Sequence, residues 1–147
     1  MERILFQSKS APEFRFLSNF HSKLMTIDDE RWMSVEHYYQ ASKSVDPETR
    51  KMIKNCLTPA EAKKLGRYVD LNCFPGDWEK VKESFMLRAI RAKFTQHADL
   101  REKLLLTKGF ELVEYAPWGD TYWGVDKELK GQNRLGHLLM QVREELS

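Results

Sequence analysis

The chain has 147 residues, with 24 basic and 22 acidic side chains and a formal net charge of +2; that length suits one domain with one core, and the charge is too balanced to announce a nucleic-acid surface. Hydrophobic residues make up 41% and aromatic residues 12%, which excludes an intrinsically disordered chain. Cys56 and Cys73 do not form a C-x-x-C pair, and His21, His37, His97 and His137 lack metal-ligand spacing, so reduced thiols, a cytoplasmic setting and neither metal nor cofactor are expected.

The opening "MERILFQSKSAPEF" has no long apolar segment and no small-residue cleavage site, so no signal peptide is expected. No apolar run approaches the roughly 18 residues that a membrane span needs. "RILFQ" and "KLMTI" read as short strands, with "DDE" turning the second into "RWMSV" as a hairpin that leads directly into a helix at 34. Asp46 before Pro47 starts a second helix, "PETRKMIKN". The third, "TPAEAKKLG", has Thr58 as N-cap, Pro59 at N1, Glu61 completing a capping box and Gly66 as its end. Asp77 caps "WEKVKESFMLRAIRAKFT", whose expected core stripe is Val81, Phe85, Ala89 and Ala92, with Trp78 in the first turn. On that helix Arg88, Arg91 and Lys93 read as a solvated face. "DLREKLLLTKG" is a helix closed by Gly109, and "FELVEY" is a strand. "APWGDTYWGVDKELKGQN" is a loop of the length that is usually functional or mobile. Asn133 caps a last helix with Leu135, Leu138, Leu139, Val142 and Leu146 facing the core. The sum is a single α+β domain over 1–147, helix-rich with one small β-sheet.

The helix "SVEHYYQASKS" carries the candidate chemistry. Glu36, Gln40 and Lys43 lie at i, i+4 and i+7, and seven residues at about 100° each return to within roughly 20° of the start, so the three share one face. Trp32, His37, Tyr38 and Tyr39 surround them. Glu36 lies in the first turn, where the helix dipole favours a carboxylate; nearby rings would raise its pKa by desolvation and Lys43 would lower it, so the sign is open. Lys43 lies about 10 Å further along the axis, and its long stem can reach back over Gln40. "FRFLSNF" offers Ser18 and Asn19 between apolar side chains, although an Asn bonding its own backbone in a turn gives the same pattern. "GDTYWG" offers Asp120, Trp123 as a stacking surface and Gly124 as a point of close backbone approach, although a tryptophan buried under a loop fits as well. Together these residues describe a polar pocket with aromatic walls suited to a heterocycle.

The chain also resembles the YbiA-like, or NADAR, family. The matching pieces run in the family's order: "FLSNF", "W-x-S-V-E-H-Y-Y-Q-A-x-K", "LGR", "W-x-x-V-K-x-x-x-M-x-x-A-x-x-A-K-F", "LLLT", "LVE", "YWG" and "G-x-N-x-L-G-x-L-L-M-x-V-R". The resemblance implies the YbiA-like fold, a compact helix-rich α+β domain, and an N-glycosidase. One branch of the family hydrolyses the C–N bond of phosphoribosylamino-pyrimidine intermediates of riboflavin synthesis, the leading expectation here. Another removes ADP-ribose from modified guanine in nucleic acid, and a third reading is a non-catalytic ADP-ribose or NAD-binding module. The resemblance assigns Glu36 and Lys43 as catalytic residues. It carries Asn19, Asp120, Trp123 and Gly124 over to substrate binding, and Trp78 and Asn133 match family positions; Trp32, Tyr39 and Gln40 join the substrate-binding set from the reading of the helix and its surrounding rings, which hold the heterocycle. The chain departs from the family after "WG", where Val125 and Asp126 stand in place of a further glycine. Bond cleavage can proceed through an oxocarbenium-like state stabilised by a carboxylate, or through ring opening and a Schiff base on Lys43 with Glu36 moving protons. The implied partner is a small sugar-phosphate or nucleotide-like substrate, or ADP-ribosylated nucleic acid, with no membrane and no obligate protein partner.

Overall fold

A computed structural model describes residues 2–147. They divide into two compact units, one formed by the residues up to His21 together with His97–Ser147, the other by Ser22–Gln96. The molecule is helix-rich α+β as expected, but the sheet is not one. Among the described residues there are two separate two-stranded sheets, one in each unit.

In the unit containing the chain ends, β1 (Glu2–Phe6) pairs in parallel with β4 (Phe110–Glu114), Ile4 lying opposite Leu112. A 3-10 turn over Pro12–Leu17 buries Phe16 and Leu17. α5 (Ala98–Leu105) and α6 (Arg134–Leu146) bury Leu100, Leu104, Leu135, Leu138, Leu139 and Val142. Leu146, expected in the core, is only half-buried at the end of α6.

The other unit starts with the hairpin β2 (Met25–Ile27) and β3 (Glu30–Trp32). Asp28 and Asp29 turn it with positive φ at both positions, the twist that a two-residue hairpin loop requires. The chain then enters α1 (Val35–Ser42), which packs against α2 (Pro47–Lys54), α3 (Pro59–Gly66) and α4 (Trp78–Gln96). All eight residues of α1 are buried, so the helix that carries the candidate chemistry is a central one.

The caps of α2 and α3 are as read: Asp46 and Thr58 accept from the N–H groups of Thr49 and Glu61. Glu61 reaches back to the Leu57 N–H, one residue beyond the expected partner. Gly66 does not end α3 as a left-handed cap; it is the last helical residue, and Arg67 follows in right-handed conformation. The core stripe of α4 also differs. Trp78, Ala89 and Ala92 are buried as expected, but Val81 and Phe85 are only half-buried, and Lys82, Met86, Ile90, Lys93 and Phe94 complete the buried side. Arg88 and Arg91 are exposed as expected, but Lys93 is only 2% exposed. A pattern that counts lysine as a solvated residue places the stripe one step off.

Candidate active site on the central helix

The N-terminus of α1 is fixed by a three-part lock. Ser34 Oγ accepts from the His37 N–H at 3.1 Å and lies 2.6 Å from His37 Nδ1. His37 Nε2 lies 2.9 Å from the Cys56 carbonyl. A carbonyl only accepts, so Nε2 carries the proton and Nδ1 accepts from the serine hydroxyl. Burial keeps His37 neutral, holding its pKa below the usual histidine value. The imidazole is a structural bolt that aims the following turn.

That turn presents Glu36, only 6% exposed. Its Oε1 accepts from Gln40 Nε2 at 2.8 Å, so two of the three members of the expected face touch. Gln40 is positioned in turn by Gly66, where a Cβ would collide with Gln40 Oε1. That oxygen is buried with no hydrogen-bond partner. The "LGR" glycine is thus a packing glycine: it lets the end of α3 lie against the amide that holds the carboxylate.

Lys43 closes α1 as its C-cap residue, half-buried. Its ammonium lies 5.7 Å from the Tyr39 ring centroid. Desolvation lowers its pKa first; Glu36 opposes this, and the positive charges of Lys63, Arg67 and Lys82 add to it. An amine so placed is partly neutral nearer to physiological pH than an exposed lysine. Tyr39 packs at 5.5 Å against Trp78, which stacks on Phe85 at 5.6 Å with 21° between planes. Lys43, Val45, Met52, Leu65, Tyr68 and Val69 also contribute to the wall of a cavity of about 400 Å³. Neither Glu36 nor Gln40 borders it.

Trp32 is 1% exposed, set edge-on to Tyr38 at 5.4 Å, and the cationic heads of Arg50 and Lys54 lie 5.7 and 5.5 Å from its ring centroid. Both cations pair with Glu30. Trp32 is thus packed within the core of this unit, with Tyr38 at its edge and the two cations near its ring.

Asn19, Asp120, Trp123, Gly124 and Asn133 belong to the other unit. Asn19 is buried, and beside it Ser18 Oγ accepts from the Phe20 N–H at 3.1 Å. Asp120 Oδ1 accepts from the N–H groups of Tyr122 and Trp123, so the carboxylate shapes the loop. Trp123 is half-buried, edge-on to Tyr122 at 5.0 Å. Gly124 serves its own loop: a Cβ there would press on the Glu114 carbonyl, and no ligand is needed to explain it. Asn133 is the N-cap by position but not by side chain. With φ 50° it lies in the left-handed region, and its amide accepts from Glu114 N–H at 3.0 Å and donates to Leu112 C=O at 2.9 Å, tying the start of α6 to β4. Its side chain thus ties α6 to β4 through backbone groups of that strand. The long loop is equally tied, with backbone bonds from Ala116 to Val125, Gln132 to Thr121 and Leu135 to Trp123. At the departure, Val125 is buried and bridges to Tyr115.

Sequence reasoning missed the buried Lys82 and the pairing of Gly66 with Gln40, and it read the buried Lys93 as solvated. Lys82 binds the Glu79 carboxylate one turn earlier on α4. Among the described residues, no three His, Cys, Asp or Glu side chains gather as a metal site requires, and no helix is long and apolar enough to cross a membrane.

With this geometry in view, the comparisons with known proteins become specific. The NADAR domain family profile matches residues 5–147. The chain belongs to the NADAR family. The N-glycosidase YbiA of Escherichia coli is 41% identical over 94% of this chain and 85% of its own length. Its NMR structure superposes with a TM-score of 0.82 at 39% identity, over 99% of this chain and 86% of that one. An N-glycosidase of Nostoc punctiforme is 43% identical over 88% of this chain and 83% of its own. The chloroplastic riboflavin biosynthesis protein PYRR of Zea mays is 40% identical over 90% of this chain, which spans 23% of that protein. This NADAR chain is accordingly an enzyme of the N-glycosidase class, and the binding-module reading falls away.

Proposed function

We propose that this NADAR protein hydrolyses the C–N glycosidic bond of a phosphoribosylamino-pyrimidine, releasing the pyrimidine amine and ribose 5-phosphate. The observation that carries it is the Glu36–Gln40 pair, buried and hydrogen-bonded, on the same helix as a Lys43 whose amine is shifted toward neutrality. The riboflavin name of the Zea mays relative supports the pyrimidine substrate. The ribosylamine ring opens to an imine at C1. The neutral Lys43 amine adds to C1, and the pyrimidine amine leaves with a proton delivered by Glu36. Water then adds to the lysine Schiff base, giving up its proton to Glu36. Collapse of that adduct frees the lysine and the C1 aldehyde of ribose 5-phosphate. Gln40 holds the carboxylate that shuttles the protons, and Tyr39 with Trp78 gives one apolar side of the helix face.

The test is a panel of ribosylamino-pyrimidine phosphate, ADP-ribosylated guanosine and NAD, with free base followed by chromatography. Release of pyrimidine alone supports the reading. Release of guanine instead reassigns the substrate to ADP-ribosylated nucleic acid, and loss of nicotinamide from NAD alone would sink both.

A further inference from the structure

Lys43 borders two spaces. Its charge acts on Glu36 along the helix, and its side chain also lines the cavity of about 400 Å³, a size within the roughly 300–1,000 Å³ of small-molecule sites. Every wall residue lies in the unit spanning 22–96. α2 contributes Met52 and Ile53, α3 contributes Leu65, and the segment after α3 contributes Tyr68 and Val69. The wall is thus largely apolar, with one aromatic ring. That ring is exposed to 80%, and its side chain has no hydrogen bond or ring partner among the described residues.

The charges on the wall select the ligand. Asp46 and Asp70 both line the cavity. Hydrogen bonds from Thr49 hold the Asp46 carboxyl below the usual carboxylate range, so it is ionised. Lys43 is the one cation of the wall, and burial shifts it toward neutrality. A phosphate dianion here would face two carboxylates with little to balance them, whereas a neutral ring carrying amino groups would not. Asp70 can read such amino groups. Its Oδ1 accepts from the Asn72 N–H at 2.9 Å, but its Oδ2 meets only the weak Cys73 thiol donor at 3.8 Å, which leaves lone pairs open. An exposed aromatic face, apolar walls and an open acceptor match an amino-substituted heterocycle.

We propose that this cavity receives the pyrimidine ring of the substrate, with Tyr68 stacking on the ring and Asp70 accepting from its amino group, so that the glycosidic bond lies at Lys43 and the sugar phosphate lies outside the cavity. This rests on the pyrimidine substrate proposed above, and it extends that reading from the reacting bond to the group that leaves.

The experiment uses Cys73 as a reporter. Cys73 is exposed on the cavity wall, while Cys56 is buried with its thiol pushed up, so iodoacetamide labels Cys73 selectively. Saturating 2,4-diamino-6-hydroxypyrimidine should slow that labelling about 10-fold or more, and uracil or ribose 5-phosphate at the same concentration should leave it unchanged. On the phosphoribosylamino-pyrimidine, Tyr68→Ala should raise KM about 10-fold with kcat nearly kept, and Tyr68→Phe, which keeps the stacking face, should restore KM. Asp70→Asn keeps an oxygen for the Asn72 N–H and turns the other acceptor into a donor, so it should raise KM about 10-fold and weaken the protection of Cys73. Labelling that ignores the diaminopyrimidine, or is slowed by ribose 5-phosphate, would overturn the assignment, as would a wild-type KM in both Tyr68→Ala and Asp70→Asn; release of base by the wild type would then stand alone. If wild type releases no base, yet the diaminopyrimidine protects Cys73 and Asp70→Asn loses that protection, the pyrimidine cavity stands and the cleavage reading fails.

Discussion

At the scale of single residues, the most informative position is a glycine. Gly66 has ordinary helical geometry, so alanine there would usually stabilise a helix by up to about 1 kcal/mol. Here the added methyl meets Gln40, whose amide holds Glu36, and overpacking of this kind costs about 1–3 kcal/mol. Gly66→Ala should therefore lower the melting temperature by a few degrees and cut kcat by about 10-fold or more. Adding Gln40→Ala should restore the melting temperature and leave kcat low, a non-additivity that a thermal melt and an assay of the four proteins will read. Lys43 gives the second prediction. Its pKa is lowered chiefly by burial, so its neutral fraction grows as pH rises through that lowered value, and kcat/KM should rise with it. Lys43→Arg keeps the charge and loses the nucleophile. It should reduce turnover by about 100-fold or more and abolish the sugar-phosphate adduct that borohydride traps in the wild type. An arginine variant with full activity would return the chemistry to Glu36 and water alone.

At the scale of elements, the locally coded features were legible and the tertiary ones were not. Asp46, Thr58 and the hairpin turn at Asp28–Asp29 act within a few residues of themselves, and their chemistry can be read from spacing. The face of Glu36, Gln40 and Lys43 was legible for the same reason, since helical periodicity alone brings its members together. Asn133 shows where this stops: its position reads as a cap, but its amide finds better partners on β4, 21 and 19 residues away. Trp32 likewise reads as a ligand wall, and only the folded chain shows Arg50 and Lys54 already over its ring. His37 gave no signal beyond its presence, because its partner is the Cys56 carbonyl on another element. The lock it forms predicts coupling. Ser34→Ala removes a cap worth about 0.5–2 kcal/mol and also strands Nδ1. His37→Asn should cost at least as much, and the double variant should cost less than the sum of the two, measured by urea unfolding. The His37 pKa is lowered in the fold, so the unfolded chain takes up the proton first on acidification. Its contribution is complete above about pH 6.5 and lost progressively below it, and His37→Asn should flatten that limb of the stability profile.

At the scale of the whole molecule, a formal charge of +2 hides an uneven interior. Lys93 lies on α4 with its side chain buried, and desolvation lowers its pKa to about 7. Its counterpart in the unfolded chain titrates near 10.4, so between these values the unfolded state binds more protons than the native one. Stability contributed by this group is lost as pH falls from about 10 toward 7, and below 7 both states are protonated and the loss is complete. The window is unusual, because carboxylates and His37 exert their pH dependence below about pH 6.5. Lys93 thus gives a signature that can be separated from them. The wild-type midpoint of urea unfolding should climb between pH 7 and 9, after allowance for the general effect of net charge. Lys93→Met keeps the length of the side chain and removes the titration, and its unshared thioether suits an apolar site. That variant should be the more stable protein at pH 7, with a flatter profile to pH 9, and the two curves should converge as pH rises. A variant destabilised equally at every pH would mean that the amine is charged and held by the fold rather than merely tolerated by it. In that case Lys93 belongs with Lys82 among the fixed cations of α4.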